Sequence, residues 1–292
     1  MDVVITYVNG ADPLWRKDYE AFAGEPLLEK RFRDWGTLPF LFRGLEKNMP
    51  FVGKVFLVVA RDSQVPQWVD RSKVQVVCHG DFIPAEHLPT FSASMIEMFL
   101  HRIPGLGEKF IYMNDDTFAV RPVSEGDFFV DGRPAKGYSR HLFSAGPFKK
   151  LCRCSDSLAR KAAGLRPSLF FLRPQHSITP MLRSLCEELF EKEQDAIVRS
   201  LTPVRAPGNY NQYLFSDYAL YTGRAVCRRI SHKHLSMAVS NPERIVSAVC
   251  SPSADFVCIN DVQMPLERYE RSRRALTDAL LSLFPEKSRY EL

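Results

Sequence analysis

The chain opens on a run of β-branched and aromatic residues, Val3-Val4-Ile5-Thr6-Tyr7-Val8, which stops at Asn9-Gly10-Ala11-Asp12-Pro13. A short apolar run closed by turn-forming residues predicts a buried strand whose carboxyl end opens a loop. From Trp35 to Asn48 the apolar positions Leu38, Leu41 with Phe42, Leu45 and Met49 recur at spacings of three and four, and Pro50 follows. That period predicts an amphipathic helix. Strands are predicted at 55–60, 73–78 and 108–113, with a helix at 92–101 between the last two. Beyond Pro122 the pattern loosens over 126–151, where Gly132-Arg-Pro predicts an irregular connection carrying a hairpin. Further helices are predicted at 177–191, 210–221 and 265–283, and short strands at 225–230 and 256–259.

Alternating strands and helices predict an α/β fold with a mostly parallel sheet, because parallel neighbours need crossover connections and helices supply them. In such sheets ligands bind beyond the carboxyl ends of the strands, which here fall at 9–12, 61–64, 79–81 and 114–116. Polar residues gather at those ends.

Composition narrows the class. The 292 residues are 45% hydrophobic and 25% charged, with 15 Gly and 20 Pro, which excludes collagen-like and wholly disordered chains. No apolar run approaches the roughly 20 residues of a membrane span. The N-terminus has no basic flank or apolar core of a secretory signal, so the expected compartment is the cytoplasm. Seven scattered cysteines, an odd number, predict free thiols, and Cys152-Arg-Cys154 lacks the two-residue spacer of common zinc sites. The net charge of +5 sits in short clusters at 149–166, 228–234 and 268–274, which does not point to nucleic acid. Such clusters suit solvated faces, phosphate groups or peripheral contact with an anionic membrane surface at the inner face of the cell membrane.

Asn114-Asp115-Asp116, at the end of an apolar strand, is the most informative local feature. Adjacent carboxylates there can bind a hard divalent cation, Mg²⁺ or Mn²⁺, together with substrate phosphates; alternatively one caps the next turn and the other is solvated. His176, in Arg173-Pro-Gln-His-Ser-Ile-Thr-Pro, can serve as a general base near neutral pH or cap the following helix. Arg205 lies in a loop, where a guanidinium can clamp a phosphate through paired hydrogen bonds. The chain carries no Walker A, G-x-G-x-x-G, G-x-S-x-G or H-E-x-x-H motif.

Four blocks of the sequence resemble the Stealth family, which includes bacterial capsular-polysaccharide phosphotransferases and the animal GlcNAc-1-phosphotransferase of lysosomal enzymes. They are Asp2-Val-Val-Ile-Thr-Tyr-Val-Asn-Gly-Ala-Asp12-Pro; Arg31-Phe-Arg-Asp-Trp through His87-Leu-Pro-Thr-Phe-Ser to Lys109-Phe-Ile-Tyr-Met-Asn-Asp-Asp116; Pro174-Gln-His176 through Arg205 to Asn211-Gln-Tyr-Leu-Phe; and Phe256-Val-Cys-Ile-Asn260-Asp261. The compact length resembles the bacterial members. The resemblance implies a single catalytic domain over 1–292, with a nucleotide-sugar-binding half at 1–125, an irregular insertion at 126–170 and a completing part at 171–292.

It further implies a Rossmann-like fold, similar to nucleotide-sugar transferases, and transfer of a sugar 1-phosphate from a UDP-sugar to a hydroxyl of a saccharide acceptor, releasing UMP. By motif, Asp2, Asp116, His176 and Arg205 match catalytic positions. Asn9, Gly10, Asp12 and Asn114 are expected around the donor, and the cation near Asp115, Asp116 and Asp261. Asp2, at the start of its strand, is supported by the resemblance alone; its position in the strand argues for capping or packing. Asn209 and Pro39 depart from the family pattern. The rival readings are a conventional UDP-sugar glycosyltransferase releasing UDP and a catalytically silent glycan-binding protein.

Overall fold

The computed structural model describes residues 1–23, 27 and 32–292. In chain order come β1 (Asp2–Thr6), α1 (Pro13–Phe22), α2 (Leu38–Asn48), β2 (Val55–Val59), β3 (Val74–Cys78), α3 (Ala93–Phe99), β4 (Lys109–Asn114) and β5 (Thr117–Ala119). There follow β6 (Phe129–Val130), β7 (Arg133–Lys136), β8 (Tyr138–His141), α4 (Pro147–Ala162), β9 (Phe171–Pro174) and β10 (Thr179–Leu182). The remainder is α5 (Arg183–Lys192), α6 (Gln194–Ser200), α7 (Tyr213–Tyr221), β11 (Val226–Cys227), β12 (His232–Ser236), α8 (Pro242–Cys250), β13 (Phe256–Asn260) and α9 (Leu266–Leu283).

The central sheet runs β10-β4-β1-β2-β3; β4, β1, β2 and β3 are parallel, and β10 joins the edge antiparallel to β4. This is the mostly parallel α/β architecture that the alternation predicts. Side chains alternate across the sheet, so Val3, Ile5, Val55, Leu57 and Ile111 face one layer with Leu41 of α2, Val249 of α8 and Leu280 of α9. Val4, Phe56, Val58, Phe110 and Tyr112 face the other, with Met98 of α3, Leu185 of α5 and Phe215 of α7. Burial on both faces is why these strands read as unbroken apolar runs.

The structure adds to or alters the sequence reading in four places. Residues 13–22 form a helix, because Asp12 caps it, accepting the Leu14 amide at 2.9 Å, and Pro13 occupies the first turn, where no donor is required. The hairpin expected at Gly132-Arg-Pro is present as β6–β7, turning at Asp131-Gly132, both with positive φ, but the rest of 126–170 is ordered rather than irregular, with β8 and the helix α4. The stretch 177–191 divides into β10 and α5; Pro180 is tolerated because β10 is an edge strand. Between β12 and β13, α8 is capped by Asn241, which accepts the Arg244 amide at 3.0 Å.

Candidate active site

The carboxyl ends of β1, β2, β3 and β4 open into a cleft of about 410 Å³. Its lining includes Thr6, Tyr7, Ala60, His79, Asn114, Asp115, Asp116, His176, Arg205 and Asp261. Topology explains the convergence. Antiparallel pairing sets Thr179 of β10 against Tyr112 of β4, which carries the preceding His176 to the sheet's carboxyl edge. Pairing of Cys258 in β13 with Thr117 in β5, and the Ile259 amide on the Asp116 carbonyl at 2.8 Å, brings Asn260 and Asp261 over the same edge. Asn114 is oriented from below by the Tyr112 hydroxyl, which donates to its Oδ1 at 2.9 Å.

His176 is held on both sides. Its Nδ1 lies 2.8 Å from the buried Tyr213 hydroxyl, and the Phe148 ring packs on it edge-on with centroids 5.5 Å apart. After it, the buried Lys136 ammonium donates to the Ile178 carbonyl at 2.9 Å and the Thr179 hydroxyl at 2.7 Å. Before it, the Gln175 amide donates to the Ile230 carbonyl at 2.6 Å and accepts the Ile230 amide at 3.1 Å. Burial, then nearby His234 and Lys136, depress the His176 pKa to about 4, so the imidazole is neutral at physiological pH. If Nδ1–H donates to the Tyr213 oxygen, Nε2 keeps a free lone pair toward a proton donor. A phosphate anion bound beside the ring would raise this pKa, because its charge favours the imidazolium, and so strengthen the base.

The two adjacent carboxylates are costly to ionise. Burial, then the charges of Asp116 and Asp34, push Asp115 up to about 8. Burial lifts Asp116 to about 6, against hydrogen bonds it accepts from the Thr117 hydroxyl at 3.1 Å and the Cys258 thiol. Hard oxygen donors whose charge is uncompensated by the protein fit Mg²⁺ or Mn²⁺, which binds through one or two carboxylates with phosphates completing the shell. Asp261 does not join them: its carboxylate pairs with Arg33 through Nε at 3.0 Å and Nη2 at 2.7 Å, and Arg33 also lies 4.2 Å over the Tyr269 ring. Among the described residues no group of three or more His, Cys, Asp or Glu side chains is placed to hold a metal ion. Of the expected ligand set, Asp115 and Asp116 face the cleft without an ion-pair partner among the described residues, whereas Asp261 is held by Arg33.

Arg205 projects from an exposed loop into the cleft, and no hydrogen bond within the described residues occupies its guanidinium. Asn209 shapes that loop: its Oδ1 accepts the Ala206 amide at 2.6 Å, and its amide nitrogen donates to the Thr202 hydroxyl at 3.0 Å and to the Ser200 carbonyl. A carboxylate at 209 could accept from the Thr202 hydroxyl but could not donate to the Ser200 carbonyl, which explains the departure locally. Pro39 sits in the first turn of α2, a position that needs no amide donor.

The residues expected around the donor at 9–12 make local hydrogen bonds beside the cleft. Asn9 Oδ1 accepts the Ala11 amide at 3.0 Å, and Asp12 is occupied by the α1 cap and by the Ser63 hydroxyl at 2.9 Å. At Gly10 an added Cβ would fall 2.1 Å from the Phe32 carbonyl oxygen, so the glycine permits close passage of that chain. Asp2 lies at the far end of β1, about 13 Å from Thr6 at a strand rise of about 3.3 Å per residue. Its buried carboxylate accepts the Gly107 amide at 2.7 Å, so it takes no part in the cleft. Arg31 lies outside the described residues. Residues unforeseen from sequence are Tyr7, whose hydroxyl donates to Asp34 at 3.3 Å, Arg33, Asp34, Gln64, His79, Tyr213 and Lys136.

Residues 31–136 match the family model of Stealth protein CR2, conserved region 2. The capsular polysaccharide phosphotransferase WcwK of Streptococcus pneumoniae is 30% identical, covering 100% of this chain and 99% of its own. The receptor polysaccharide phosphotransferase WefC of Streptococcus oralis is also 30% identical with the same coverage. Among solved structures, the galactosyltransferase LgtC in complex with donor and acceptor sugar analogs aligns with a TM-score of 0.41 and 11% identity, over 99% of this chain and 98% of that one. With the conserved-region match and full-length identity to two phosphotransferases, the chain belongs to the Stealth family and is a transferase of phosphorus-containing groups.

Proposed function

We propose that the chain moves a sugar 1-phosphate from a UDP-sugar to a hydroxyl of a saccharide acceptor, releasing UMP, in synthesis of a capsular or other cell-surface polysaccharide. The observation that carries this reading is the convergence of Asp115, Asp116, His176 and Arg205, from three separate stretches of chain, on one cleft at the carboxyl edge of the sheet. The names of the relatives support the polymer class.

The acceptor oxygen attacks the β-phosphorus of the donor. A new P–O bond forms, the bond from that phosphorus to the oxygen bridging it to the α-phosphorus breaks, and UMP departs with that oxygen. His176 Nε2 takes the acceptor proton, with Nδ1–H held on the Tyr213 hydroxyl. Arg205 faces the phosphoryl oxygens, where a guanidinium offsets charge that grows in the transition state. Asp115 and Asp116 would hold a divalent cation, Mg²⁺ or Mn²⁺, which would neutralise diphosphate charge. Asn114, fixed by Tyr112, lies at the cleft floor to orient the donor.

Incubating the protein with UDP-GlcNAc, Mg²⁺ and an oligosaccharide acceptor and identifying the released nucleotide tests the reading. UMP is expected. UDP would mean attack at the anomeric carbon and overturn it in favour of a conventional glycosyltransferase.

A further inference from the structure

The ladder β8–β9 ends at the pairing of His141 with Phe171, so Leu142-Phe143 and Leu169-Phe170 leave it side by side. Phe143 and Leu169 are each 75% exposed, and Leu142 and Phe170 each 38%. The tip is built rather than loose. Arg153 of α4 donates to the Leu142 carbonyl at 3.0 Å and the Leu169 carbonyl at 3.1 Å, and the Arg140 guanidinium lies 4.1 Å over the Phe170 ring. Its surroundings are cationic. Residues 138–173 hold eight Lys and Arg against one acid, Asp156, giving +7, whereas the whole chain carries +5 and the rest therefore −2. Asp156 is buried and committed to Arg160 at 3.0 Å and the Leu172 amide at 2.9 Å, and Lys161 pairs with Glu193 at 2.7 Å, so among the described residues Lys149, Lys150 and Arg166 are basic side chains of this stretch left for an outside anion.

We infer that this tip is a membrane-docking surface that inserts Phe143 and Leu169 into an anionic lipid interface while Lys149, Lys150 and Arg166 meet the headgroups. Apolar side chains held out of a basic rim are the arrangement that interfacial binding rewards, since apolar burial and headgroup attraction add. A soluble polyanion would engage the basic rim but gain nothing from the exposed phenylalanine and leucine. Two signals are present where one alone holds a protein weakly. The other end of β9 leads through Gln175 to His176, so docking sets the cleft roughly 20 Å from the lipid surface, at a strand rise of about 3.3 Å per residue.

Flotation of the full chain with phosphatidylcholine vesicles, with and without about a third phosphatidylglycerol, tests the inference. The wild type is expected to float with the anionic vesicles only. Phe143→Ser with Leu169→Ser should weaken partitioning about tenfold or more at every ionic strength, through lost apolar burial. Lys149→Glu with Lys150→Glu should weaken it at least tenfold at low salt, each lysine being worth about fivefold beside an anionic surface. Both pairs are outside the core, so melting temperatures should match the wild type. Wild type that stays with the lipid-free fraction would overturn the inference. So would undiminished flotation of the serine pair, which would leave a basic surface suited to a soluble polyanion.

Discussion

Replacing Asp115 with Asn should stabilise the metal-free fold while abolishing transfer. The carboxyl is pushed up to about 8 by burial and by Asp116 and Asp34. A folded-state pKa above the unfolded value near 4 means that folding favours the protonated form. Stability from this group is therefore present in acid and lost as pH rises from about 4 to about 8. At about 1.36 kcal/mol per pKa unit the full penalty would be about 5 kcal/mol, and solvent entering through the cleft reduces the expected value to about 2–3 kcal/mol. For a chain of this size that corresponds to a rise of about 4–9 °C in melting temperature. Thermal melts in EDTA from pH 4 to 9 should show the gap between variant and wild type widening above about pH 4 and levelling between about pH 6, where the reduced penalty is complete, and pH 8. Mg²⁺ should raise the wild type and narrow the gap, because the cation offsets the same repulsion. An Asn variant no more stable than wild type at pH 8, or a gap independent of pH, would refute the reasoning.

Other consequences follow from named contacts. His176→Gln should lower kcat by about 10²–10⁴, and Tyr213→Phe by about tenfold with KM retained, because the phenol fixes the tautomer rather than binding substrate. With saturating Mg²⁺, the acid limb of wild-type kcat/KM should fall near pH 4 rather than 6.5: the free-enzyme imidazole keeps its lone pair until protonated there. Steady-state assays across pH check all three. Arg205→Ala should cost about 10²–10³ in kcat, with Lys restoring part of it as a point charge without the paired geometry. Asp2→Ala should leave kcat unchanged and cost about 1 kcal/mol in denaturant unfolding, since it removes the acceptor of the half-buried Gly107 amide.

The strands β1 to β4 were legible because burial on both faces writes an unbroken apolar run, and α2 because its one-sided burial writes a period of 3.6. The starts of α1 and α8 carried a signal that competed with a turn: Asp12-Pro13 and Asn241-Pro242 are a cap followed by a first-turn proline, and only the subsequent packing of Trp15 and Ile245 decides. In α4 the buried positions Leu151, Ser155, Leu158 and Ala162 are spaced helically, yet the polar Ser155 and the basic residues between them hid the face. At 177–191 edge pairing with β4 overrode the helical pattern. Asp115, Asp116, His176 and Arg205 were legible through motif. The partners that set their behaviour were not: Tyr213 lies 37 residues from His176, and Arg33 lies 228 residues from the Asp261 it withdraws from the metal set. No local pattern encodes such pairings, which arise only when the sheet orders the chain.

The most direct test of phosphoryl transfer follows one atom. With a UDP-sugar donor labelled on its β-phosphorus, the account predicts that the label appears in the saccharide product, in a phosphodiester with the transferred sugar, and that the nucleotide released is unlabelled UMP. Label leaving in UDP, with a product free of phosphorus, would contradict it.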